Sequence, residues 1–372
     1  MTNRVLLTLA AAVLLLPACG GAAAPASPAA SAPAAPSSAP AKPASAQAAA
    51  STASPKPASS AQPAASAAPS GQPKLVVSYA AVIAAVLPEW LADAAGIFKK
   101  NGLDVELTYI ESSKGMAALL ANQTQVTGLG APEVVSANAA GGDVLPVVTT
   151  APVYPYILQV PPDIKTAADL KGKKVGVSSI GSVSDIATRV ALRKLGLDPE
   201  KDVTILAVGS ATNRLAALQA GSIQAGLSFP PESLVMEARG YHALIDLATS
   251  KAPWSNASDI MKRSFVNGNR DVVQRYVDSI VEAIARARKD KPLAMDVLKK
   301  YHKLDDVKAI EATYDYFVGS VIPALPYPNA DQFTEAKSVL GENNEAVRSL
   351  DPNSWIDQSF VKSAADRSVD KR

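Results

Sequence analysis

The spacing of apolar residues after Pro73 predicts strands and helices in alternation. Three short apolar runs have the length of buried strands, and two stretches with apolar residues three and four positions apart are typical of helices. In chain order these are a strand at 75–79, a helix at 88–102 with Trp90 on its core side, a strand at 105–110, a helix at 116–121 and a strand at 126–129. The order predicts parallel strands in one sheet, because right-handed crossovers return the chain in the same direction.

A second series of the same kind follows further along the chain. It comprises a strand at 175–177, a helix capped by Ser182 or Ser184 that ends at Leu195, a strand at 203–208, a helix at 215–220 and a strand at 225–229. The last third of the chain is helical, with an apolar face that repeats every three to four residues. We expect helices at 271–288, 293–301, 307–318 and 331–340 to pack on the first series.

Two stretches 99 residues apart repeat one pattern. Residues 116–125 and 215–224 share an Ala-Leu-rich helix, a short spacer and a final glutamine, and each leads to a Pro-Glu pair, Pro132-Glu133 and Pro231-Glu232. The units of a solenoid are far shorter than this spacing. The repeat therefore predicts an α/β protein of two Rossmann-like lobes with mainly parallel sheets, and two lobes imply a cleft. A chance likeness between Ala-Leu-rich helices is the alternative.

Two segments are predicted to carry the chain between the lobes. Apolar runs at 147–150 and 157–160 flank Tyr154 and Tyr156, and a second passage is expected at 252–267. The first lobe would then comprise 73–156 and 253–372, and the second lobe 157–252. Tyr154 lies where its ring either closes over a ligand or packs in the hinge.

The N-terminus has the pattern of a secretion signal. Arg4 supplies the positive start, and an apolar run ends in small residues at Cys19, the only cysteine. This resembles a bacterial lipoprotein signal at 1–19, in which Cys19 is lipidated; ordinary cleavage beside a spectator cysteine is the alternative. Residues 20–72 are almost entirely Ala, Pro and Ser, and predict a disordered tether because they lack large apolar side chains.

Composition excludes several classes of function. The net charge is +2, and no dense basic stripe is interleaved with aromatic residues, so nucleic acid is not an expected partner. Once Cys19 carries lipid, no cysteine remains for a disulfide, a zinc site or a thiol nucleophile. The two histidines have no metal-like partners: His242 is predicted in a half-buried strand and His302 on a solvated helix. No metal or cofactor is expected.

Two glycine patterns fall short of nucleotide-binding motifs. Residues 176–182 have the glycine spacing of a phosphate-binding loop, but Ser182 stands where that loop needs lysine. Gly128 and Gly130 begin like a dinucleotide-binding turn, but Glu133 replaces the third glycine. The sequence also lacks a Gly-x-Ser-x-Gly or His-Glu-x-x-His motif. These departures disfavour an enzyme.

Loops at the carboxyl ends of strands are where folds of this kind bind ligands. Serine-rich turns that lead into helices present backbone N–H groups and hydroxyls at the positive end of the helix dipole, which suits an oxyanion. In the repeat, Ser112 corresponds to Ser210 and Glu133 to Glu232. The candidate ligand-binding residues are Tyr79, Ser112, Ser113, Lys114, Gly130, Pro132, Tyr154, Ser179, Ser182, Ser184, Ser210, Thr212, Phe229, Pro231 and Glu232.

These candidates have structural alternatives. The serines and Thr212 can simply cap their helices, and Phe229 can fill the core. Glu133 and Glu232 can interact with the dipole of the helix that they begin, or they can receive a cationic or nitrogen-rich ligand. The candidate loops carry both a basic residue, Lys114, and several acidic ones, so the sequence does not decide the charge of the solute.

Three phrases of the sequence together resemble one family. They are AGIFKKNGLDVEL at 95–107, DLKGKKVGV at 169–177, and the stretch from Asp351-Pro352 to IDQSFV at 356–361. The chain resembles the solute-binding proteins of ABC importers for nitrate, sulfonates, taurine and thiamine precursors. The resemblance implies a type II periplasmic binding protein fold whose two lobes close on a small solute and present it to a membrane permease.

The resemblance also carries expectations about partners and location. It implies a monomer without a cofactor, held outside the cytoplasm on a membrane by lipid at Cys19. A tethered lipoprotein that senses a ligand or binds a partner without transport is the alternative. A related branch of enzymes makes a thiamine pyrimidine, but this sequence lacks the cysteine-rich motif and the active-site histidine on which those enzymes depend.

Overall fold

The computed structural model describes residues 72–372. The predicted signal peptide, Cys19 and the tether lie outside the described residues, apart from the last residue of the tether. The described residues contain ten strands. They are β1 (Lys74–Tyr79), β2 (Asp104–Tyr109), β3 (Val126–Leu129), β4 (Val144–Val153), β5 (Ile157–Val160), β6 (Lys174–Val177), β7 (Thr204–Ala207), β8 (Ala225–Ser228), β9 (His242–Asp246) and β10 (Pro253–Lys262).

The strands form two five-stranded sheets with one topology. The first sheet has the order β2-β1-β3-β10-β4 and the second the order β7-β6-β8-β5-β9. In each sheet the first three strands are parallel, and the fourth (β10 or β5) is antiparallel to its neighbours. We call the bodies built on these sheets lobe 1 and lobe 2. The predicted two-lobed α/β fold is confirmed, but the sheets are mixed and not mainly parallel, since half of the strand pairings in each are antiparallel.

Helices flank both sheets. They are α1 (Leu87–Ala94), α2 (Ile97–Lys100), α3 (Ser112–Leu120), α4 (Ala131–Ala139), α5 (Val183–Lys194), α6 (Ala211–Gln219), α7 (Glu232–Glu237), α8 (Arg263–Gly268), α9 (Arg270–Lys289), α10 (Lys291–His302), α11 (Val307–Tyr316), α12 (Thr334–Gly341), α13 (Glu345–Arg348) and α14 (Ser359–Asp366). No helix in this part of the chain is both long enough and apolar enough to cross a membrane.

The repeat in the sequence is also a repeat of structure. Helix α3 begins at 112 and α6 at 211, and β3 begins at 126 and β8 at 225, so the offset of 99 residues holds for both elements. Both helices lead through a short turn into the third strand of their sheet. The repeated sequence therefore encodes the same βαβ geometry twice.

The C-terminal helices pack on lobe 1, as predicted. The 20-residue helix α9 lies against α1 and α2, where Phe98 stacks on Tyr276 with ring centroids 5.7 Å apart. Trp90 is fully buried, and its ring stacks on Tyr301 of α10 at 4.4 Å. Burying large apolar side chains of this kind stabilises the fold by about 1.5–3 kcal/mol each.

Two helix predictions need correction. The helix predicted at 88–102 is broken at Gly96, which has φ +68°, a left-handed conformation that favours glycine. The helix predicted at 307–318 ends at Tyr316 and continues as a π-helical segment, Phe317–Val321. In both places the apolar spacing persists across the break, so the pattern alone does not reveal it.

Candidate functional site

A cavity of about 420 Å³ lies between the two lobes. Lobe 1 lines it with the loops after β1, β2 and β3, and lobe 2 with the loops after β6, β7 and β8. Parallel strands place their carboxyl ends at one edge of a sheet, so both sheets present these loops to the same space. A methyl group at Gly130 of lobe 1 would overlap Val183 of lobe 2. The lobes are therefore in contact beside the cavity.

Lobe 2 presents hydroxyl groups at the starts of two helices. The Ser182 hydroxyl caps α5 and donates to the carbonyl oxygen of Ser179 at 2.7 Å, while Ser184 accepts from the backbone N–H of Ser178 at 2.8 Å. The Ser210 hydroxyl caps α6 by accepting from the N–H of Asn213 at 3.2 Å. Capping uses an acceptor site of Ser210 and leaves its proton available. The proton of Ser182 is already engaged.

Arg214 is a buried cation in the wall of lobe 2. Its side chain is 3% exposed, and burial lowers the pKa of its guanidinium. Nε donates to the carbonyl oxygen of Leu227 at 2.8 Å and Nη1 to the hydroxyl of Ser178 at 3.0 Å. Neither bond uses Nη2. A guanidinium held in this way is oriented to bind an acceptor in the cavity before any ligand arrives.

Lobe 1 presents a pair of carboxyl groups instead. Glu89 of α1 and Asp259 of β10 are 4% and 3% exposed and lie in mutual contact. Burial and the neighbouring Asp259 hold the pKa of Glu89 well above its usual range, and burial raises the pKa of Asp259 to about 6. The hydroxyl of Tyr276 donates to Asp259 Oδ2 at 2.7 Å. Two adjacent buried carboxyls repel each other when both are charged, which favours a single proton shared between them.

Two further carboxyls occupy repeated positions. Glu133 and Glu232 lie in the first turns of α4 and α7, as expected, and burial raises the pKa of each to about 7. Nδ1 of His302 lies 3.9 Å from Oε1 of Glu232, which brings lobe 1 close to lobe 2. The prediction that His302 is solvated is wrong: its side chain is 2% exposed, and burial lowers its pKa to about 4. It ends α10 and points inward, against Trp90.

Aromatic rings complete the lining. Tyr79, Tyr109 and Tyr301 of lobe 1 meet edge to face, with Tyr79 5.8 Å from Tyr109 and 6.5 Å from Tyr301. Phe229 of lobe 2 is buried, lies 6.0 Å from Tyr156 of the hinge, and also lines the cavity. These rings give a planar or cationic group an apolar wall.

The structure divides the candidate residues into two groups. Ser113 and Lys114 are exposed on α3, Pro132 and Pro231 are buried, and Tyr154 stacks on Trp254 in the hinge at 4.6 Å. These five and Ser179 are not among the lining residues, and their predicted contact with a ligand has no support from this geometry. The candidates that line the cavity are Tyr79, Ser112, Gly130, Ser182, Ser184, Ser210, Thr212, Phe229 and Glu232.

Sequence reasoning missed several buried ionisable groups of the cavity. Glu89, Asp259 and His302 come from segments outside the repeat, so their approach to the cavity depends on tertiary packing. Arg214 carried a usable signal, because it is the only charged residue of an otherwise Ala-Leu-rich helix and replaces Gly115 of the repeat. In residues 72–372 no group of three or more His, Cys, Asp or Glu side chains is arranged to hold a metal ion.

Comparisons with known proteins agree with this architecture. A model of the family described as NMT1/THI5 like matches residues 84–292. YtlA of Bacillus subtilis (strain 168), named as a binding protein, is 24% identical over 203 residues, which cover 53% of this chain and 60% of YtlA. The chain thus spans less than two thirds of the length of this relative.

Solved structures share the fold at low identity. The periplasmic aliphatic sulphonate binding protein SsuA from Escherichia coli has a TM-score of 0.63 and 23% identity over 77% of this chain and 92% of that one. The periplasmic nitrate-binding protein NrtA from Synechocystis PCC 6803 has a TM-score of 0.66 and 14% identity over 81% and 90%. The resemblance inferred from the three sequence phrases is confirmed.

Proposed function

The chain belongs to the NMT1/THI5-like family, and from that premise we propose that it is an extracytoplasmic solute-binding protein that captures a small organic solute or oxyanion for an ABC importer. The relatives of known structure carry names that refer to binding, which supports this class. The proposal concerns binding without catalysis.

One observation carries the proposal: a cavity of about 420 Å³ is lined from both lobes at positions that the repeat makes equivalent. At the offset of 99 residues Gly130 corresponds to Phe229 and Glu133 to Glu232, and all four line this cavity. The predicted match of Ser112 to Ser210 is wrong by one position, because the N-caps of α3 and α6 are Glu111 and Ser210. The hydroxyls of Ser182 and Ser184 lie 3.0 Å apart and bond to each other and to the backbone. Such hydroxyls act as fixed dipoles toward a solute, since neither is paired with a base that would activate it.

Closure of the lobes is the proposed mechanism of capture. We place lobe 1 at 73–156 and 253–372 and lobe 2 at 157–252, because the chain passes between the sheets after β4 and after β9. Two crossing strands allow rotation while each lobe stays intact. A solute that contacts both lobes binds the closed state better than the open state, and shifts the equilibrium by that difference in affinity.

Binding is tested by thermal-shift screening of the purified protein against oxyanions, sulfonates, pyrimidines and small carboxylates, followed by calorimetry. We expect a hit to raise the melting temperature and to bind with one site per chain. Scattering at saturating solute should then show a more compact particle. A complete screen without any stabilising compound contradicts the proposal.

Anchoring at Cys19 and delivery to a permease are the finer parts of the proposal. The signal pattern before Cys19 supports lipidation of this residue. Cells fed an alkyne-labelled fatty acid should label the wild-type protein and not Cys19→Ala. Labelled protein should sediment with membranes. Deleting the gene should abolish uptake of the solute identified by the screen, whereas intact uptake would favour a sensory role.

A further inference from the structure

Acidic side chains outnumber basic ones around the cavity between the lobes. Its charged lining comprises five carboxyl groups and two cations, in addition to His302. The two lobes divide these charges unequally. Lobe 1 contributes Glu89, Glu111, Glu133 and Asp259, whereas lobe 2 contributes Glu232 and the buried cation Arg214. The second cation, Lys303, is exposed. A purely anionic solute would face this acidic wall wherever it contacted lobe 1.

Several buried polar atoms beside the cavity lack a partner within residues 72–372. They include Oε2 of Glu133, Oε2 of Glu232 and Nε2 of His302. Buried polar atoms are almost always hydrogen-bonded in native proteins, since leaving one unpaired costs about 1–3 kcal/mol. Carboxylate oxygens accept hydrogen bonds. In their charged form the atoms of Glu133 and Glu232 therefore need donors, and a solute in the cavity can supply them.

Tyrosine rings line the same lobe of the cavity as most of its carboxyl groups. Tyr79 and Tyr301 are half-buried rings on the lobe 1 side of the cavity. A ring face attracts a cation, with a strength of roughly 0.5–2 kcal/mol that grows as water is excluded. Carboxyls and ring faces on one wall thus favour a protonated amine, an amidine or a guanidine.

The opposite wall requires an acceptor. Arg214 uses Nε and Nη1 to bind protein atoms, so Nη2 remains to donate to a carboxylate, sulfonate or similar group. The Ser210 hydroxyl lies on the same wall. Glu232 of the same lobe already interacts with this guanidinium, and an acceptor group of the solute would offset its charge further.

We propose that the solute is amphoteric, with a protonated nitrogen group held by Glu133, Asp259 and the tyrosines of lobe 1 and a compact anionic group held by Arg214 of lobe 2. This inference rests on the proposed function and adds the class of solute. Opposite charges at the two ends make one molecule bridge the lobes. A solute with only one of the groups satisfies only one wall and favours closure less.

Three matched sets of probes test the inference by calorimetry at pH 7.5. The first is taurine, isethionate and ethylamine; the second is guanidinoacetate, acetate and methylguanidine; the third is 4-(aminomethyl)benzoate, 4-methylbenzoate and benzylamine. We expect the amphoteric member of at least one set to bind tenfold or more tightly than both of its single-charge partners. An anion that binds as tightly as its amphoteric partner overturns the inference, and so does failure of all amphoteric members.

These failures are distinct from failure of the proposed function. If the amphoteric members fail but the wider screen yields a solute, the chain is a solute-binding protein and only the class of solute is wrong. If no compound binds, the proposed function fails too.

Variants of the two walls locate the binding groups. Asp259→Asn and Glu133→Gln should weaken the amphoteric probe tenfold or more and should not weaken its anionic partner, whereas Arg214→Met should weaken the anionic partner as well. Glu106→Gln alters an exposed carboxyl of β2 outside the cavity and serves as the control. Should Asp259→Asn not fold, Glu133→Gln gives the same comparison. Equal losses for both probes in the lobe 1 variants contradict the assignment of the nitrogen group to that wall.

Discussion

The two lobes share a backbone topology but differ at one place where a helix packs on its sheet. In lobe 1 the helix residue is small and the strand residues are larger, and in lobe 2 the reverse holds. In lobe 1 the residue of α3 that faces the sheet is Gly115. The strands opposite it, β1 and β3, carry Ser78 and Thr127, whose hydroxyls lie 2.8 Å apart. In lobe 2 the corresponding helix position is Arg214, and the paired strand positions are Gly176 and Gly226. A methyl group at Gly226 would lie 3.1 Å from Cγ of Arg214. The glycines therefore leave the space that the arginine occupies.

This difference shows how a repeated fold acquires unequal walls. Lobe 1 fills its sheet surface with a hydroxyl pair and adds two carboxyls from outside the repeat, Glu89 on α1 and Asp259 on β10. Lobe 2 has glycines at these strand positions, and its helix supplies a cation from within the repeat. The same geometry thus presents an acidic wall on one side of the cavity and a cationic group on the other.

The largest effect is expected when a strand residue of lobe 1 is placed at the equivalent position of lobe 2. Gly226→Thr places at β8 the residue that β3 has at the corresponding position, and crowds the stem of Arg214. We expect a loss of about 1–3 kcal/mol in the free energy of unfolding, which is the usual cost of overpacking. Threonine is a good strand former, so the loss reflects crowding and not propensity. Urea denaturation measures it.

Two further variants test the cause. Gly226→Thr should cost less stability in an Arg214→Ala background than in the wild type, because the crowded stem is gone. Gly268→Ala serves as a control, since a methyl group there meets no atom within 4 Å, and its stability should change by less than about 0.5 kcal/mol. A Gly226→Thr protein as stable as this control would refute the packing argument.

A second contrast concerns Gly130, which the repeat aligns with Phe229. Gly130 has φ −107°, so alanine fits its backbone, but the added methyl would overlap Val183 of the other lobe. Gly130→Ala should therefore disfavour the closed state and weaken solute binding by about 10- to 100-fold, as calorimetry would show. Val183→Ala in the same chain should restore part of the affinity; the rest stays lost because the methyl also lies 3.0 Å from the carbonyl oxygen of Ser255. Unchanged affinity in Gly130→Ala would show that closure does not bring these residues together.

The two repeated glutamates, Glu133 and Glu232, should make the stability of the protein depend on pH. Burial raises the pKa of Glu133 and Glu232 to about 7, so the folded protein holds these protons more tightly than the unfolded chain. Their contribution to stability is present below about pH 4.5 and is lost as pH rises to about 7. Glu89, Asp259, Arg214 and His302 face the same cavity. The pKa of His302, lowered to about 4, acts in the opposite direction, because its contribution is lost on acidification.

The contribution of each glutamate to this pH dependence is obtained by comparing its Gln variant with the wild type. Without solute, Glu232→Gln should gain stability relative to wild type between pH 5 and pH 8, by about 1–2 kcal/mol, and Glu133→Gln should behave alike. Denaturation curves at several pH values measure the gain. Glu106→Gln should show no such trend. A constant difference across this range would mean that the glutamates are solvated.

The smallest expected effect separates the two serines that begin corresponding helices. Ser210 caps α6 with its hydroxyl, whereas the N-cap of α3 is Glu111, which makes no side-chain cap, and Ser112 is already inside the helix. Ser210→Ala should lower stability by about 0.5–1 kcal/mol, and Ser112→Ala by less. Thermal denaturation measures both, and equal losses would contradict the assigned caps.

Much of the fold follows from local patterns in the sequence. Strand and helix positions were predicted closely, since apolar spacing and turn residues act over a few positions. Local pattern failed at Gly96, where a left-handed turn interrupts a spacing that otherwise continues. It also failed for His302, whose helix looks solvated from its own residues, while its last turn is covered by Trp90.

The cavity residues also divide into those that local sequence predicts and those that it does not. Serines at helix starts were found from their position after a strand, and Ser182 and Ser210 do cap their helices. The pair of Glu89 and Asp259 was not found, because the two residues are 170 positions apart in the chain. No local rule brings them together.

By itself, the sequence determined that two α/β lobes follow one another and that their loops face a common space, since repeated short-range patterns encode repeated elements. Only the tertiary structure decided which charges are buried there. The energy of a charge depends on the water removed from it and on neighbours that arrive from distant segments, and neither is written in the residues beside it.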